Sequence, residues 1–91
     1  MENYLVEFIG TFALVLTIVL SRGNPIAIGG VLGLAVLGGG KISGGHFNPA
    51  VTMAFYVTKK IKKNDIVPYI VAQFSGGTMA VVLIDTIKKM L

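Results

Sequence analysis

Four apolar runs organise the chain: Tyr4 to Ser21, Pro25 to Gly40, Ala50 to Val57 and Ile66 to Ile87. Polar punctuation separates them, as SRGNP at 21–25, KISGGHFN at 41–48 and KKIKKND at 59–65. At about 1.5 Å per helical residue, the first and last runs are long enough to cross a hydrocarbon core of about 30 Å. The second crosses too if Gly38, Gly39 and Gly40 continue it. The third is too short: from Pro49 to about Val57 it covers roughly 13 Å, less than half the core. The pattern predicts an all-α membrane protein of one unit, residues 1–91, with three transmembrane helices at about 4–21, 25–41 and 65–88. Between the second and third lie a re-entrant loop at 42–48 and a half-helix at 49–58.

Composition changes the picture only by excluding alternatives. With 54% hydrophobic and 13% charged residues, and a mean hydropathy of +0.80, the chain lies far outside soluble composition. The formal charge of +4 does not point to nucleic acid, because the lysines sit at the ends of apolar runs with no basic stripe interleaved with stacking aromatics. Anionic lipid headgroups are the better match. There is no cysteine, hence no disulfide framework and no thiolate metal site. The start MENYLVEF lacks a basic segment and a small-residue cleavage signal, so it reads as part of the mature protein. If the three long runs alternate and the half-helix returns to its own side, Lys41, Lys59, Lys60, Lys62 and Lys63 share one face and Arg22, Lys88 and Lys89 the other. Five against three places the N-terminus and the Lys59–Lys63 connector on the cytoplasmic side.

The half-helix carries the chemistry. Irregular chain at membrane depth is tolerated only where protein buries it or it lines a wet cavity, and paired glycines supply such chain here. Asn48 suits an N-cap, and Pro49 suits the first helical position, where its missing N–H costs nothing. The Asn48 oxygen can accept the N–H of Ala50 or Val51, leaving its NH₂ free to donate. A donor fixed at the positive end of a helix, equivalent to roughly +0.5 charge, attracts oriented dipoles and repels cations. The carbonyls of Gly44, Gly45 and His46 offer acceptors in a row. Together these suit water or a small polyol.

The stretch SGGHFNPAVT, residues 43–52, resembles the first NPA loop of the aquaporin and glycerol-facilitator family, the major intrinsic proteins. EFIGTFALV from Glu7 resembles that family's first-helix motif, and YIVAQFSGG from Tyr69 its third-helix motif. The resemblance covers nearly the whole chain in the family's order. It implies half of an aquaporin-like six-helix right-handed bundle, and a channel for water or small neutral solutes such as glycerol. By the same resemblance, Asn48, Pro49 and Ala50 form the pore-centre motif, and Gly44, Gly45 and His46 the carbonyl ladder. Glu7 would brace the loop, through His46, and Gln73 would do similar bracing. Leu14, Leu32 and Val51 would line an apolar pore wall, with Ile28 in the selectivity filter.

Plainer readings stand beside these. Glu7 could lie near enough to the interface to reach water, although acids within membranes are usually paired or functional. His46 reads as a structural hydrogen-bonder rather than a metal ligand, since no second His or Cys accompanies it. No metal or cofactor is expected. Gly29 and Gly33 form a GxxxG, which means close helix packing. A Walker loop would need glycine at 35 and Ser or Thr at 42, where Ala35 and Ile42 stand, and a dinucleotide fingerprint from Gly38 fails at Ser43. Four scattered acids assemble no catalytic set, so the chain does not read as an enzyme.

The family carries two inverted repeats, each with an NPA half-helix, whereas these 91 residues hold one. Three helices and a half-helix cannot enclose a pore. The chain is therefore the N-terminal half of a split, truncated or partly sequenced channel, its partner a second aquaporin-like repeat, or it pairs with an antiparallel copy of itself, within a larger homo- or hetero-oligomer in the bilayer. The filter arginine and second NPA are missing, which leaves proton and cation exclusion open. A non-conducting or regulatory subunit, associating with full-length channels through Gly29 and Gly33, is the reading from a different class.

Overall fold

The computed structural model describes all 91 residues, which form four helices: α1 (Glu2–Leu20), α2 (Pro25–Ser43), α3 (Pro49–Val57) and α4 (Lys63–Met90). Three of them, α1, α2 and α4, are long and apolar enough to cross a membrane. The fold is all-α, and its 46 Å long axis exceeds a hydrocarbon core of about 30 Å.

Local chemistry sets the boundaries. α1 closes at Ser21, after which Gly23 takes φ 76° and its N–H returns to Ile18 O at 2.9 Å. Asn24 then opens α2 by accepting from Ile26 N and Ala27 N, with Pro25 next to it. α2 runs through all three glycines and Lys41 as far as Ser43, two residues beyond the predicted end. It stops because Gly44 adopts a left-handed φ of 91° and its N–H bonds Gly40 O. α3 ends where the Thr58 hydroxyl turns back to Ala54 O and Phe55 O. α4 begins at Lys63 without a side-chain cap and tolerates Pro68, its sixth residue, because the carbonyl that loses its donor belongs to exposed Asn64 near the helix start.

α1 is the central element, packed by α2 on one flank and α4 on the other, while α3 packs on α4. Tyr4 Oη donates to Asp65 Oδ1 at 2.6 Å, so α1 and α4 start at the same end. The ring of Tyr4 meets that of Tyr69 edge-on, centroids 5.9 Å apart. Tyr69 Oη in turn donates to Ser43 O, bringing the end of α2 to the same level.

The interior inverts the usual order. Of 14 buried residues, six are polar or charged, namely Glu7, Thr11, Ser43, His46, Thr52 and Gln73. Large apolar side chains such as Leu34, Leu37, Phe74 and Val82 are exposed. In water this distribution would be untenable; in lipid the apolar exterior is solvated and polar groups must find partners inside. The chain is an integral membrane protein.

Candidate functional site

The site is the connection from α2 into α3, residues 44–48, and the side chains that hold it. Gly44 and Gly45 have φ of 91° and 66°, conformations that glycine adopts without steric cost. Phe47 has φ 54°, which costs a non-glycine residue about 1–2 kcal/mol. Two contacts hold it there. Its N–H donates to Glu7 Oε1 at 2.8 Å, and its ring is buried where Gly10 and Gly39 leave room. A Cβ on Gly10 would fall on the Phe47 ring, and one on Gly39 on Val6.

Glu7 is fully buried, and both of its oxygens are filled. Oε1 accepts from Phe47 N and from Gln73 Nε2, each at 2.8 Å. Oε2 accepts from Ser43 Oγ at 2.8 Å and His46 N at 3.1 Å. Four donors are the full complement of a carboxylate, and two of them are backbone groups of irregular chain that would otherwise be stranded in the membrane. Glu7 therefore grips the loop by its backbone. Its contact with His46 is to the backbone N–H, and the imidazole ring faces α3 instead.

That ring places Nδ1 2.9 Å from Thr52 Oγ1 and stacks at a tilt on Phe55 and Tyr69, with centroids 4.6 and 5.1 Å away. Thr52 Oγ1 also accepts from Gln73 Nε2 at 2.8 Å. Gln73 thus spends both amide hydrogens, one on Glu7 and one on Thr52. A continuous buried network ties α1, the loop, α3 and α4 together. No group of His, Cys, Asp or Glu is arranged to hold a metal ion.

The braced loop presents the start of α3. Asn48 caps the helix, its Oδ1 accepting from Ala50 N at 2.7 Å, and Pro49 follows. Asn48 is exposed, so its NH₂ points to no group of the chain. The carbonyls of Gly44, Gly45 and His46 receive no hydrogen bond within the chain either. Donor and acceptors are thus both vacant, on a backbone that is itself fixed.

The remaining sequence-derived positions are not assembled into one cavity. Leu14, Ile28 and Val51 are half-buried and Leu32 is exposed, and none of them lines a cleft of this chain. The GxxxG expectation needs correction within the chain: a Cβ on Gly29 or Gly33 would meet nothing within 4 Å. The close helix approaches are made instead at Gly39 and Gly76, and Gly10 makes room for the Phe47 ring of the loop. Sequence reasoning also passed over Phe47, Thr52, Ser43 and Tyr69. Thr52 left a trace, being a polar residue one turn after Asn48 in an otherwise apolar half-helix.

This geometry can be set beside known proteins. The family model described as Major intrinsic protein matches residues 21–91. The chain belongs to that family. Among curated major intrinsic proteins it is 46% identical over 88 residues to Glycerol uptake facilitator protein-like 6 of Lactiplantibacillus plantarum, covering 88% of this chain and 41% of that one. It is 36% identical to Aquaporin AqpM of Methanothermobacter thermautotrophicus, covering 87% of this chain and 44% of that protein. To Aquaporin Z of Photorhabdus laumondii it is 37% identical, over 91% and 42% respectively. The chain spans less than half the length of these relatives. No solved structure matches it. Within this major intrinsic protein, then, the braced loop and α3 sit in the part of the sequence that the family model covers.

Proposed function

We propose that the chain is a single aquaporin-like repeat and contributes one half of a membrane channel for passive movement of water or a small neutral solute such as glycerol. The observation that carries this is the state of Asn48. Its oxygen is committed to Ala50 N, while its NH₂, held at the positive end of α3 by the Glu7 network, is unspent. A permeating oxygen can accept from Asn48, and its hydrogens can pass along the carbonyls of Gly44, Gly45 and His46. Pro49 and Ala50 fix the first turn, and Glu7 and Gln73 brace it. Leu14, Leu32 and Val51 supply an apolar wall that leaves the solute few competing partners. Ile28 occupies the filter position and makes it wide and weakly polar.

The other wall comes from a second repeat, supplied by further sequence of the same protein, by a separate chain or by an antiparallel copy of this one. The glycerol facilitator and aquaporin names of the relatives support both solutes without choosing between them. The N-terminus, Lys41 and the Lys59–Lys63 connector face the cytoplasm.

Stopped-flow permeability of liposomes containing the chain, alone and with a second repeat, tests the proposal. Water or glycerol flux above the lipid background is expected in at least one of the two samples, with a drop of tenfold or more for Asn48→Ala, about one lost hydrogen bond in the barrier. Flux that is absent in both, but altered when a full-length channel is present, replaces this reading with a regulatory subunit.

A further inference from the structure

We propose that the connector between α3 and α4 is a docking site for an anionic diacyl phospholipid, whose phosphate is held by Lys59, Lys60, Lys62 and Lys63 while its acyl chains lie along α4. The four lysines fall within five residues, 59–63, and all are exposed. None of them is in an ion pair: the chain's one ion pair, Lys89–Asp85, lies at the far end of α4. Of the two acids near this end, Asp65 is engaged by Tyr4 Oη, and Glu2 pairs with no cation. Four positive charges therefore stand close together without a counter-charge.

Local structure holds them there against both conformational and electrostatic preference. Lys59 has φ 63°, the left-handed conformation that usually selects glycine just past the end of a helix. Its N–H bonds Tyr56 O at 3.0 Å and that of Lys60 bonds Phe55 O at 2.8 Å, so the turn that closes α3 is complete with a lysine in the glycine position. Lys60 Nζ rests 5.9 Å from the centroid of the Phe55 ring, which leaves its hydrogens to another acceptor. Lys62 is the N-cap of α4 and Lys63 its first residue, where the positive end of the helix repels a cation. An anion beside the connector reverses that repulsion and relieves the repulsion among the four lysines.

Position in the bilayer selects a lipid over a soluble anion. α4 has 28 residues, about 42 Å of helix, enough to reach from one headgroup layer to the other. Its start at Lys63 is thus level with headgroup phosphates. Val67, Val71 and Phe74 follow Lys63 on the same face of α4, at spacings of four, eight and eleven residues, and all three are exposed. A phosphate on the lysines, continued by acyl chains on this apolar stripe, matches a phospholipid whose headgroup carries no cation. The ammonium of phosphatidylcholine would instead face like charges. The site requires a membrane-spanning chain but not conduction past Asn48.

Native mass spectrometry of the full chain, released from detergent micelles during titration with dioleoylphosphatidylglycerol or dioleoylphosphatidylcholine, tests the site. The anionic lipid is expected to bind saturably and about tenfold or more tighter than the zwitterionic one. Lys62→Gln and Lys63→Gln should each raise its apparent Kd about fivefold, the worth of one lysine beside an anionic headgroup. Both positions are exposed and outside any ion pair, so neither variant endangers folding. Replacing all four lysines by glutamine should abolish the preference for the anionic lipid. Lys88→Gln, at the other end of α4, should change the Kd by less than about twofold. Glycerol 3-phosphate, which offers a phosphate without acyl chains, should not displace the lipid at equal concentration. Asn48→Ala should leave lipid binding in place, whatever it does to flux. Equal affinity for the two lipids overturns the proposal, as do equal losses for Lys63→Gln and Lys88→Gln, which would mean attraction by overall charge alone. Displacement by glycerol 3-phosphate overturns it too, since the connector would then hold a soluble anion.

Discussion

The two flanks of α1 are both glycine-rich contacts, yet they are built for different purposes. Toward α4, the α1 backbone approaches so closely that a Cβ on Gly76 would run into the Phe8 carbonyl, and Glu7, Thr52 and Gln73 are sealed in beside it. Toward α2, closeness is confined to Gly39 at its inner end, where the Phe47 ring also lodges, while Gly29, Gly30, Gly33 and Gly38 leave open space around them. One flank is a completed joint that positions the loop. The other is a surface whose small residues have nothing to admit within this chain. Glycine content alone does not distinguish them; the presence of a partner backbone does.

The strongest way to break the completed flank is Glu7→Ala. It strips four buried donors of their acceptor, and each stranded donor costs about 1–3 kcal/mol, so even without full additivity a loss of at least about 4 kcal/mol is expected. Denaturation in mixed detergent micelles measures it. Hydrogen exchange should show the His46 and Phe47 amides losing protection first, with flux lost alongside. Glu7→Gln keeps the shape but sets an NH₂ against groups that donate, so its loss should lie between that of Glu7→Ala and none. Gly76→Ala is next in size. Its Cβ meets backbone rather than a movable side chain, and overpacking of that kind costs about 1–3 kcal/mol. Gly77→Ala is its control: the nearest atom is Val15 Cγ2 at 3.2 Å, a side chain that can give, and a visibly smaller loss is expected.

These substitutions also mark what the sequence made legible. The half-helix could be read because its signals are local: Asn48 and Pro49 identify a helix start, and length alone shows that the run from Pro49 to Val57 cannot span. Glu7 stood out as an acid within an apolar run, but the sequence could not say that its partners would be the backbone of residues 46 and 47. Such partners are anonymous, since every residue of that loop carries an N–H. The same holds for Tyr69, whose hydroxyl finds the Ser43 carbonyl 26 positions away. The glycines were hard to read for the opposite reason. GxxxG is a pattern of spacing, visible on α2, whereas the close approaches at Gly10, Gly39 and Gly76 depend on which backbone or ring arrives opposite. α2 ran past its predicted end because Ile42 and Ser43 are compatible with helix, and only the left-handed Gly44 stops it.

A smaller effect probes how the two flanks are joined at their common end. Tyr69→Phe removes the bond to Ser43 O but leaves the ring against His46 and Tyr4, so about 1 kcal/mol should be lost in the same micelle assay. Exchange at the Gly44 and Gly45 amides should rise more than at Gln73, because the lost bond anchors the end of α2 and not α4. Equal changes at both would mean that the two flanks open as one unit.

The smallest effect is the sharpest test of the open flank. In the chain by itself, Gly29→Ala and Gly33→Ala add a methyl group to empty space and remove the conformational freedom that glycine has in the unfolded state. Glycine is about 1 kcal/mol less favourable than alanine within a helix, so each change should leave stability unaltered or raise it by up to that amount. At Gly76 the same substitution should destabilise, and the opposite signs would express the difference between a joint that is closed and one that is open. The comparison can also be reversed. If the two α2 substitutions destabilise the chain in micelles, and the loss grows with protein concentration, another copy already lies against that face. The GxxxG spacing would then describe a contact between chains, which is the only place left for it once the interior of this one is accounted for.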